Sequence, residues 1–351
     1  MKKKLSIGFA HYDDFHGAWF TIQDIRKELA CSGRQDLLDQ IEFVVVESNK
    51  TSSHAQHLKN FCAGHLAPSK SLSYVIHNNK GTSASRNEIF KNANGEFVLV
   101  MDCHVLLCPT VQTIEKIFEF IDQNPEANNI YSGPLVYDDC KGISTHFADQ
   151  WRSGMWGTWQ TAKACSCKNF FFDYMESDTD NNLLVPTDMI SKKPLTVCSY
   201  CNKPLPTIQK SEYAKLKALN IESVNINDNY RFPIFAQGLG CFLVRKDAWL
   251  GFNENCYGFG GEECYIHQKY RQNGFMAEYL PFLKWLHRFG RPDGPQYPLK
   301  NEYKVRNYVL EFTELGLDLS PIRKHFVEDS GFDPIVYESF IKEAQYIYQK
   351  G

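Results

Sequence analysis

Residues 93–104 read ANGEFVLVMDCH, a polar turn followed by a short apolar run and an acidic end. The five apolar residues 97–101 predict a strand that is buried on both faces. Asp102 follows this strand directly, and His104 stands two residues further on. In extended backbone, residues two apart share a face, so a carboxylate and an imidazole can reach one divalent cation. A turn aspartate beside a surface histidine is the alternative, and the stretch alone does not decide between it and a metal site at the end of the strand.

Strand and helix patterns alternate over the first 110 residues. Apolar runs at 5–10, 41–46 and 72–76 predict three more strands, residues 19–29 have helical spacing, and residues 83–93 are predicted as another helix. This alternation is typical of a mostly parallel sheet with helices on both faces. Such sheets bind ligands beyond the carboxyl ends of their strands, which is where Asp102 lies. We predict an α/β, Rossmann-like fold.

The middle of the chain breaks this alternation. Residues from about 140 to 230 contain tryptophans, prolines and an acidic polar patch. We predict an inserted subdomain there, within one domain spanning residues 1–300. From residue 301 onward, apolar residues recur at roughly helical spacing. We therefore predict a helical C-terminal tail over residues 301–351.

Composition is ordinary for a globular chain of 351 residues, with 43% hydrophobic and 23% charged residues. The formal net charge of −3 gives no overall attraction to nucleic acid or to an acidic membrane surface. No apolar stretch approaches the roughly 20 residues that a membrane span needs. The early run at 5–10 is also too short for a signal peptide. The sequence predicts a cytoplasmic protein without a membrane span.

Four of the twelve cysteines form two close pairs, Cys165 with Cys167 and Cys198 with Cys201. Paired cysteines at these spacings suit a tetrahedral zinc site. Free thiols and disulfides are the alternatives, and a reducing compartment disfavours disulfides. We predict a structural Zn²⁺ ion that holds the inserted subdomain together and takes no part in catalysis.

The region around the metal motif resembles GT-A glycosyltransferases of family 2. Residues 81–87 read GTSASRN and precede a predicted helix, and Gly95 and Glu96 then lead into the apolar strand and Asp102. This order of glycine, small residues, Arg-Asn, helix, Gly-Glu, strand and acidic motif is similar to the family pattern. The resemblance implies a GT-A fold that binds a nucleotide diphosphate sugar.

The same resemblance implies where the donor binds. Ala10, His11 and Asp13 follow the first strand, where the family seats the nucleoside. The second strand ends in Glu47, where the family usually has an acidic pair that reads the nucleobase. Arg86 would reach the diphosphate or brace Asp102. Gly238, in the QGLG segment 237–240, resembles the loop that approaches the donor sugar.

A second segment is similar to the catalytic domain of the polypeptide N-acetylgalactosaminyltransferases. Residues 258–263 read GFGGEE, and Gly261 would contact the donor, as in their Trp-Gly-Gly-Glu-Asn motif. Those enzymes also use Asp-x-His and a later metal-binding histidine, here His287. The resemblance implies that Asp102, His104 and His287 bind Mn²⁺, or Mg²⁺, at the donor site. Lys269 departs from the pattern, because the family has an arginine there.

Two mechanisms remain open at the acidic pair. In inverting family 2 enzymes the second acid is the general base, and Glu263 occupies that place. In the retaining N-acetylgalactosaminyl enzymes that place holds Asn, and Glu262 would hold the donor sugar. We favour inversion, in which Glu263 accepts the proton of the acceptor hydroxyl.

Two other functions compete with transfer. A sugar nucleotidyltransferase would show a glycine-rich phosphate signature near the N-terminus, and the first strand leads instead into His11 and Asp13. A non-catalytic nucleotide-sugar or glycan-binding module would not need a full set of metal and acidic residues. We predict a hexosyltransferase that uses a UDP-sugar. Its acceptor, whether glycan, lipid, protein or modified nucleic-acid base, is not indicated by the sequence.

Overall fold

The computed structural model describes residues 3–66, 72–77, 81–140, 142–213, 231–291 and 294–348. The central sheet has eight strands: β1 (Leu5–His11), β2 (Ile41–Glu47), β3 (Leu72–Ile76), β4 (Phe97–Met101), β6 (Ile130–Ser132), β15 (Phe232–Pro233), β16 (Cys241–Arg245) and β17 (Ala277–Tyr279). Their order in the sheet is β15-β17-β6-β16-β4-β1-β2-β3. The strands β1 to β4 are mutually parallel, whereas β16 runs antiparallel to its neighbours β4 and β6. The predicted α/β class, with its mostly parallel sheet, is confirmed.

Helices cover both faces of this sheet. They are α1 (Phe15–Cys31), α2 (Gln35–Leu38), α3 (Ser53–Phe61), α4 (Thr82–Asn92), α5 (Thr110–Gln123) and α6 (Glu262–Gln272). Alternate strand residues form two cores, one against α1 and α5 and the other against α4 and α6. Gly8 in β1 allows α4 to pack closely, since an added Cβ would lie 2.1 Å from Ile89 Cγ2.

The predicted helix at 19–29 starts earlier in the structure, at Phe15. Asp14 explains the difference, because its Oδ1 accepts the N–H of Gly17 at 3.1 Å and caps the helix. The predicted helix at 83–93 corresponds to α4, which runs from Thr82 to Asn92. Such shifts at helix ends are common, because end residues depend on capping contacts as well as on apolar spacing.

A smaller sheet lies next to the end of β4. Its order is β5-β18-β7-β8, with β5 (Val105–Leu107), β7 (Leu135–Val136), β8 (Ile143–Ser144) and β18 (Trp285–His287). The antiparallel pair β5 and β18 aligns Val105 with His287. This pairing brings His287 beside His104, although 182 residues separate them in the chain.

The region predicted as an insertion contains a hairpin and a separate four-stranded sheet. The hairpin is β9 (His146–Arg152) with β10 (Met155–Gln160), and the sheet is β11 (Lys163–Ala164), β12 (Phe171–Glu176), β13 (Leu183–Thr187) and β14 (Ile208–Gln209). A 3₁₀ turn follows at Lys210–Glu212. Residues 214–230 of the predicted insertion lie outside the described residues.

The C-terminal region is helical, with α7 (Asn301–Glu314), α8 (Ser320–Ile322), a π-helical turn (Arg323–Glu328) and α9 (Pro334–Tyr348). These elements share a core with the hairpin β9–β10 and with α6. Within the described ranges, the chain has no helix long and apolar enough to cross a membrane.

Candidate active site

The three predicted metal ligands meet at the carboxyl end of β4. One potential ligand atom from each of Asp102, His104 and His287 lies within 4.8 Å of the other two. His287 Nε2 is 4.0 Å from Asp102 Oδ2, and the two imidazole rings lie 4.8 Å apart, nearly perpendicular. The Asp102 N–H donates to the carbonyl of Gly240 at 2.9 Å, so the loop before β16 fixes the end of β4.

These three side chains fit a divalent cation. Burial lowers the pKa of His287 to about 4, although the negative charge of Asp102 acts to raise this pKa. The imidazole is therefore neutral at pH 7 and has a lone pair for a metal. Burial raises the pKa of Asp102, but Arg86 and both histidines outweigh it and lower the pKa, so the carboxylate is ionised. A mixed nitrogen and oxygen set is one that Mn²⁺ accepts.

Asp14 fixes the orientation of His104. Its Oδ2 lies 2.9 Å from His104 Nδ1, and Asp14 is ionised, so Nδ1–H is the donor. Burial raises the pKa of Asp14, but the bond from His104 outweighs it and the pKa falls to about 2. With Nδ1 engaged, His104 has Nε2 left for a metal ion. The carboxylate thus sets the tautomer of a candidate ligand.

Arg86 joins the two halves of the site. The side chain is buried, and its Nη2 donates to Asp102 Oδ1 at 3.1 Å while its Nη1 donates to Glu262 Oε1 at 3.0 Å. Thr82 Oγ1 donates to the same Glu262 oxygen at 2.7 Å. Arg86 therefore links the end of β4 to the start of α6. Removing one partner of such a buried pair typically costs about 3–5 kcal/mol.

Two glycines allow α4 and the GFGGEE segment to meet backbone to backbone. The Thr82 N–H donates to the Gly258 carbonyl at 3.1 Å, and Gly81 forms an isolated bridge with Gly258. A Cβ on Gly81 would lie 2.1 Å from the Gly258 oxygen, and its φ of 107° also favours glycine. The glycines in both motifs therefore serve a close contact between segments far apart in sequence.

The acidic pair at the start of α6 has two different environments. Glu262 is 1% exposed, and its Oε2 has no hydrogen-bond partner among the described residues. Glu263 is half-buried, and burial together with the charge of Glu262 raises its pKa to about 7. Burial also raises the pKa of Glu311, which packs near both glutamates from α7. A carboxyl group with a pKa near 7 suits a general base at neutral pH.

A cavity of about 530 Å³ opens above the metal ligands. This volume is in the range of small-molecule sites. Its lining includes six residues predicted from the sequence: Ala10, His11, Asp13, Arg86, Asp102 and His104. The described residues that line it do not include Glu47, Gly238, Gly261, Glu262, Glu263 or His287. The predicted residues thus divide into a cavity-facing set and a set beside or behind it.

Glu47 belongs to the set behind the cavity. The side chain is fully buried, with Oε2 2.6 Å from His11 Nδ1 and Oε1 accepting the N–H of Asn49 at 2.7 Å. His11 Nε2 in turn accepts the N–H of Asp14 at 3.1 Å, so Nδ1–H donates to Glu47. Glu47 therefore contacts His11, which lines the cavity, and does not line the cavity itself.

The two predicted donor-binding glycines also lie beside the cavity. An added Cβ on Gly238 would lie 2.6 Å from Trp159, and one on Gly261 would lie 2.8 Å from Glu311 Oε2. Both positions therefore need glycine for close packing of the surrounding side chains. Gly261 also has a φ of 111° immediately before α6.

Two arginines after β18 line the cavity and were missed from the sequence. Arg288 Nη2 is 3.5 Å from Asp14 Oδ1, and Arg291 Nη1 is 3.5 Å from His104 Nδ1. Nearby, the rings of Phe259 and Tyr297 lie 4.8 Å apart on the cavity wall. In the sequence, the available signal was the presence of two arginines shortly after His287. They can be assigned to the site only when the pairing of β18 with β5 is known.

Helix α7, the first helix of the C-terminal region, holds the glycine-rich loop at residues 257–261. The sequence analysis did not predict this contact. Asn307 donates to the carbonyls of Tyr257 and Gly260 at 3.0 and 2.9 Å and accepts the Tyr257 N–H at 3.2 Å. Asn307 and Glu311 are buried polar residues four positions apart on an otherwise apolar helix face. That spacing was the signal for a polar contact surface.

Comparisons with known proteins agree with this architecture. Residues 25–172 match Glycosyl transferase family 2. The fold is similar to that of GalNAc-T7, which was solved with UDP, GalNAc and Mn²⁺, at a TM-score of 0.50 and 13% sequence identity. The match covers 99% of this chain and 57% of the GalNAc-T7 chain. No curated protein sequence matches the chain.

Two further solved structures are similar. The mannosyltransferase PcManGT from Pyrobaculum calidifontis, in complex with GDP-Man and Mn²⁺, has a TM-score of 0.46 and 12% identity over 98% of this chain and 70% of the other. Residues 1–349 of S. aureus TarS give a TM-score of 0.44 and 13% identity over 99% and 73% of the two chains.

The shared architecture defines the fold class of this protein. The chain has the GT-A fold of the glycosyltransferases, and residues 25–172, less than half of its length, match family 2. It spans 57% of the length of the GalNAc-T7 chain. The resemblance predicted from the sequence motifs is thereby confirmed.

Proposed function

We propose that this protein transfers a sugar from a nucleotide diphosphate sugar, in the first place a UDP-sugar, to an acceptor hydroxyl. The observation that carries the proposal is the meeting of Asp102, His104 and His287 at one end of the sheet, beside the cavity. GalNAc-T7, which shares the fold, was solved with UDP, GalNAc and Mn²⁺, which supports a UDP-sugar donor.

The proposed metal is Mn²⁺, with Mg²⁺ as the alternative. Asp102, His104 and His287 would hold it, and a divalent cation there neutralises the charge of a diphosphate leaving group. Arg86 fixes the Asp102 carboxylate, and Asp14 fixes the His104 ring. Two of the three proposed ligands, Asp102 and His104, are therefore oriented by the protein before the donor binds.

The proposed donor position follows the cavity lining. Ala10, His11 and Asp13 lie at the end of β1, where we place the nucleoside. Arg288 and Arg291 lie close to the metal ligands, and we place them beside the diphosphate oxygens. Guanidinium groups suit phosphate oxygens because of their planar, multiple donors. The acceptor remains a glycan, a lipid, a protein or a modified nucleic-acid base.

We propose inversion, with Glu263 as the general base. The acceptor oxygen forms a bond to the anomeric carbon while the bond from that carbon to the diphosphate oxygen breaks, and the hydroxyl proton passes to Glu263. The raised pKa of about 7 for Glu263 supports this role. The acceptor would approach from the α6 side, because Glu263 lies beside the cavity rather than in its lining.

A retaining reaction is the second candidate, favoured by the environment of Glu262. Its Oε1 is held by Thr82 and Arg86, whereas its buried Oε2 has no partner among the described residues. A donor hydroxyl would satisfy that oxygen, which is the role expected of a residue that holds the sugar. A nucleotide-sugar or glycan-binding module without catalysis is the remaining alternative.

None of the twelve cysteines forms a disulfide in the structure, which supports our proposal of a cytoplasmic location. The cysteine quartet lies outside the cavity lining, so the proposed transfer chemistry does not involve it.

Donor hydrolysis tests the transferase proposal without a known acceptor. The protein is incubated with Mn²⁺ and a panel of nucleotide sugars, and free nucleotide diphosphate is measured. We expect slow release from one donor, abolished by EDTA and by Asp102→Ala. The matched control Asp122→Ala changes an exposed aspartate on α5 and should keep the activity. Absence of both release and metal-dependent nucleotide binding would favour a glycan-binding module.

Proton NMR of the released sugar, recorded before its anomers equilibrate, separates the two mechanisms. With an α-linked donor, a β-sugar supports inversion and an α-sugar supports retention. Glu263→Gln should abolish release in the inverting case and preserve it in the retaining case.

A further inference from the structure

The two cysteine pairs come together in the subdomain that contains β11 to β14. Cys165 Sγ is 3.6 Å from Cys201 Sγ, and Cys167 Sγ is 3.7 Å from Cys198 Sγ. All four sulfur atoms lie within 4.8 Å of one another. Each short distance joins one cysteine of the first pair to one of the second, so the four atoms form a compact cluster.

These distances fit a tetrahedral metal site. With Zn–S bonds of about 2.3 Å, the edges of an ideal tetrahedron of sulfur atoms measure about 3.8 Å. A disulfide would bring two sulfur atoms to about 2.05 Å, and none of the four cysteines forms a disulfide here. The cluster therefore has the spacing of four thiolates around one ion.

The backbone turns that carry the two pairs are alike. The residue after each second cysteine, Lys168 or Asn202, has a positive φ, of 62° and 56°. Its N–H donates to the carbonyl of the first cysteine of the pair, at 2.8 Å to Cys165 and 2.9 Å to Cys198. Each turn thus directs both sulfur atoms of its pair toward the same point, as a metal-binding turn must.

The subdomain has a small core of its own. Six residues of this core are buried: Phe172, Tyr174, Leu184, Leu205 and the two cysteines Cys165 and Cys198. A unit of about 50 residues buries too little apolar surface to be stable without extra constraints. Cys165 and Cys198 belong to this core, and Cys167 and Cys201 pack against it. A bound ion would connect the segment before β12 to the segment after β13.

We infer that Cys165, Cys167, Cys198 and Cys201 bind one Zn²⁺ ion. This ion stabilises the subdomain that contains β11 to β14, at residues 161–213. The site is distinct from the Asp102 cluster, because it has only sulfur ligands and lies outside the cavity lining. A closed set of four protein ligands leaves no position for a substrate, so the role is structural.

Metal analysis and cobalt spectroscopy test this inference. The purified chain should contain about one Zn²⁺ per molecule, as a closed structural site holds its metal through purification. Exchange for Co²⁺ should give the intense thiolate-to-metal charge-transfer band of a tetrahedral sulfur site. Co²⁺ at Asp102, His104 and His287 cannot give that band, because those ligands contain no sulfur.

Variants separate the quartet from other cysteines and from the donor site. The double variant Cys198→Ser/Cys201→Ser should lose the charge-transfer band, while Cys31→Ser/Cys140→Ser, at two exposed cysteines, should keep it. Asp102→Ala should also keep zinc even if it loses donor hydrolysis, which distinguishes the two proposals. If the quartet variant does not fold, the spectrum of the unaltered chain still decides. Absence of the band, or alkylation mapping that finds Cys165 disulfide-bonded to Cys201, would overturn the inference.

Discussion

At the residue scale, Asp14 performs two tasks with one carboxylate. Its Oδ1 caps α1, and its Oδ2 accepts from His104 Nδ1. We predict that Asp14→Ala weakens Mn²⁺ binding about 10–100-fold, because an unsupported histidine loses its fixed ring orientation. Titration calorimetry without donor measures this directly.

A serine at position 14 separates the two tasks. Asp14→Ser keeps a capping oxygen but is too short to reach His104, so it should lose metal affinity without the stability cost of about 1 kcal/mol expected for Asp14→Ala. Unchanged Mn²⁺ affinity in both variants would remove Asp14 from the metal site.

Glu263 gives a second prediction at this scale, from its raised pKa. The base must be ionised, so donor hydrolysis should fall as the pH drops below about 7. The groups that act on its charge are Glu262, Arg86 and, from α7, Lys304. A pH–rate profile with its acid limb near 4.5 instead would argue against this environment.

The same shift predicts a trade between activity and stability. The folded state favours neutral Glu263, since its pKa rises from 4.5 to about 7. Its contribution to stability is therefore present below pH 4.5 and is lost as the pH rises through 7. Glu263→Gln should be inactive yet more stable than the parent at pH 8, with the difference vanishing near pH 4. Urea denaturation at the two pH values measures it.

At the element scale, the contact between α4 and the glycine-rich loop depends on two glycines. Gly81→Ala would place a Cβ 2.1 Å from the Gly258 oxygen at a φ of 107°. We expect a loss of more than about 2 kcal/mol in the free energy of unfolding, together with lost donor binding. Urea denaturation and nucleotide titration check both effects.

Gly64→Ala is the matched control for this substitution. Gly64 lies in the π-helical turn Cys62–Leu66, and an added Cβ there has no described atom within 4 Å. Because alanine favours helical backbone, the change should stabilise the protein by up to about 1 kcal/mol. A large loss in both variants would indicate general glycine sensitivity rather than a specific contact.

Some strands and helices were predictable from the sequence, and others were not. The strands β1, β2 and β4 are almost fully buried and therefore appear as apolar runs, and α1 has clear helical spacing. The pairing of β5 with β18 leaves no such local trace, because its partners lie far apart in the chain. His287 was identified through a family resemblance, whereas Arg288 and Arg291 acquire a role only from that pairing.

At the scale of the whole molecule, the C-terminal helices are part of the candidate site. Asn307 holds the loop at Tyr257 and Gly260, and Arg306 donates to the carbonyl of Asn255 and to Glu343 of α9. The sequence predicted these helices as a separate tail. Apolar spacing indicates that a helix forms but not which surface it covers, so this connection was not predictable.

Asn307→Ala tests the connection. The variant loses three hydrogen bonds to the loop, at about 1 kcal/mol each, so we expect destabilisation of about 2–3 kcal/mol. Hydrogen exchange at residues 255–261 should increase most. Thr313→Ala on the same helix removes only a bond to the carbonyl of Val309 and should leave loop exchange unchanged. Equal exchange in the two variants would show that α7 does not support the loop.

The strand order has a consequence for synthesis of the chain. β16 lies between β4 and β6 in the sheet, yet it is made long after both. While residues 102–240 leave the ribosome, the hydrophobic strand Phe97–Met101 has an unpaired edge on that side, and such edges promote aggregation. Pairing across this distance also slows folding. We therefore expect expression to depend on chaperones and to improve at low temperature, with truncated chains that stop before Cys241 recovered mainly as aggregates.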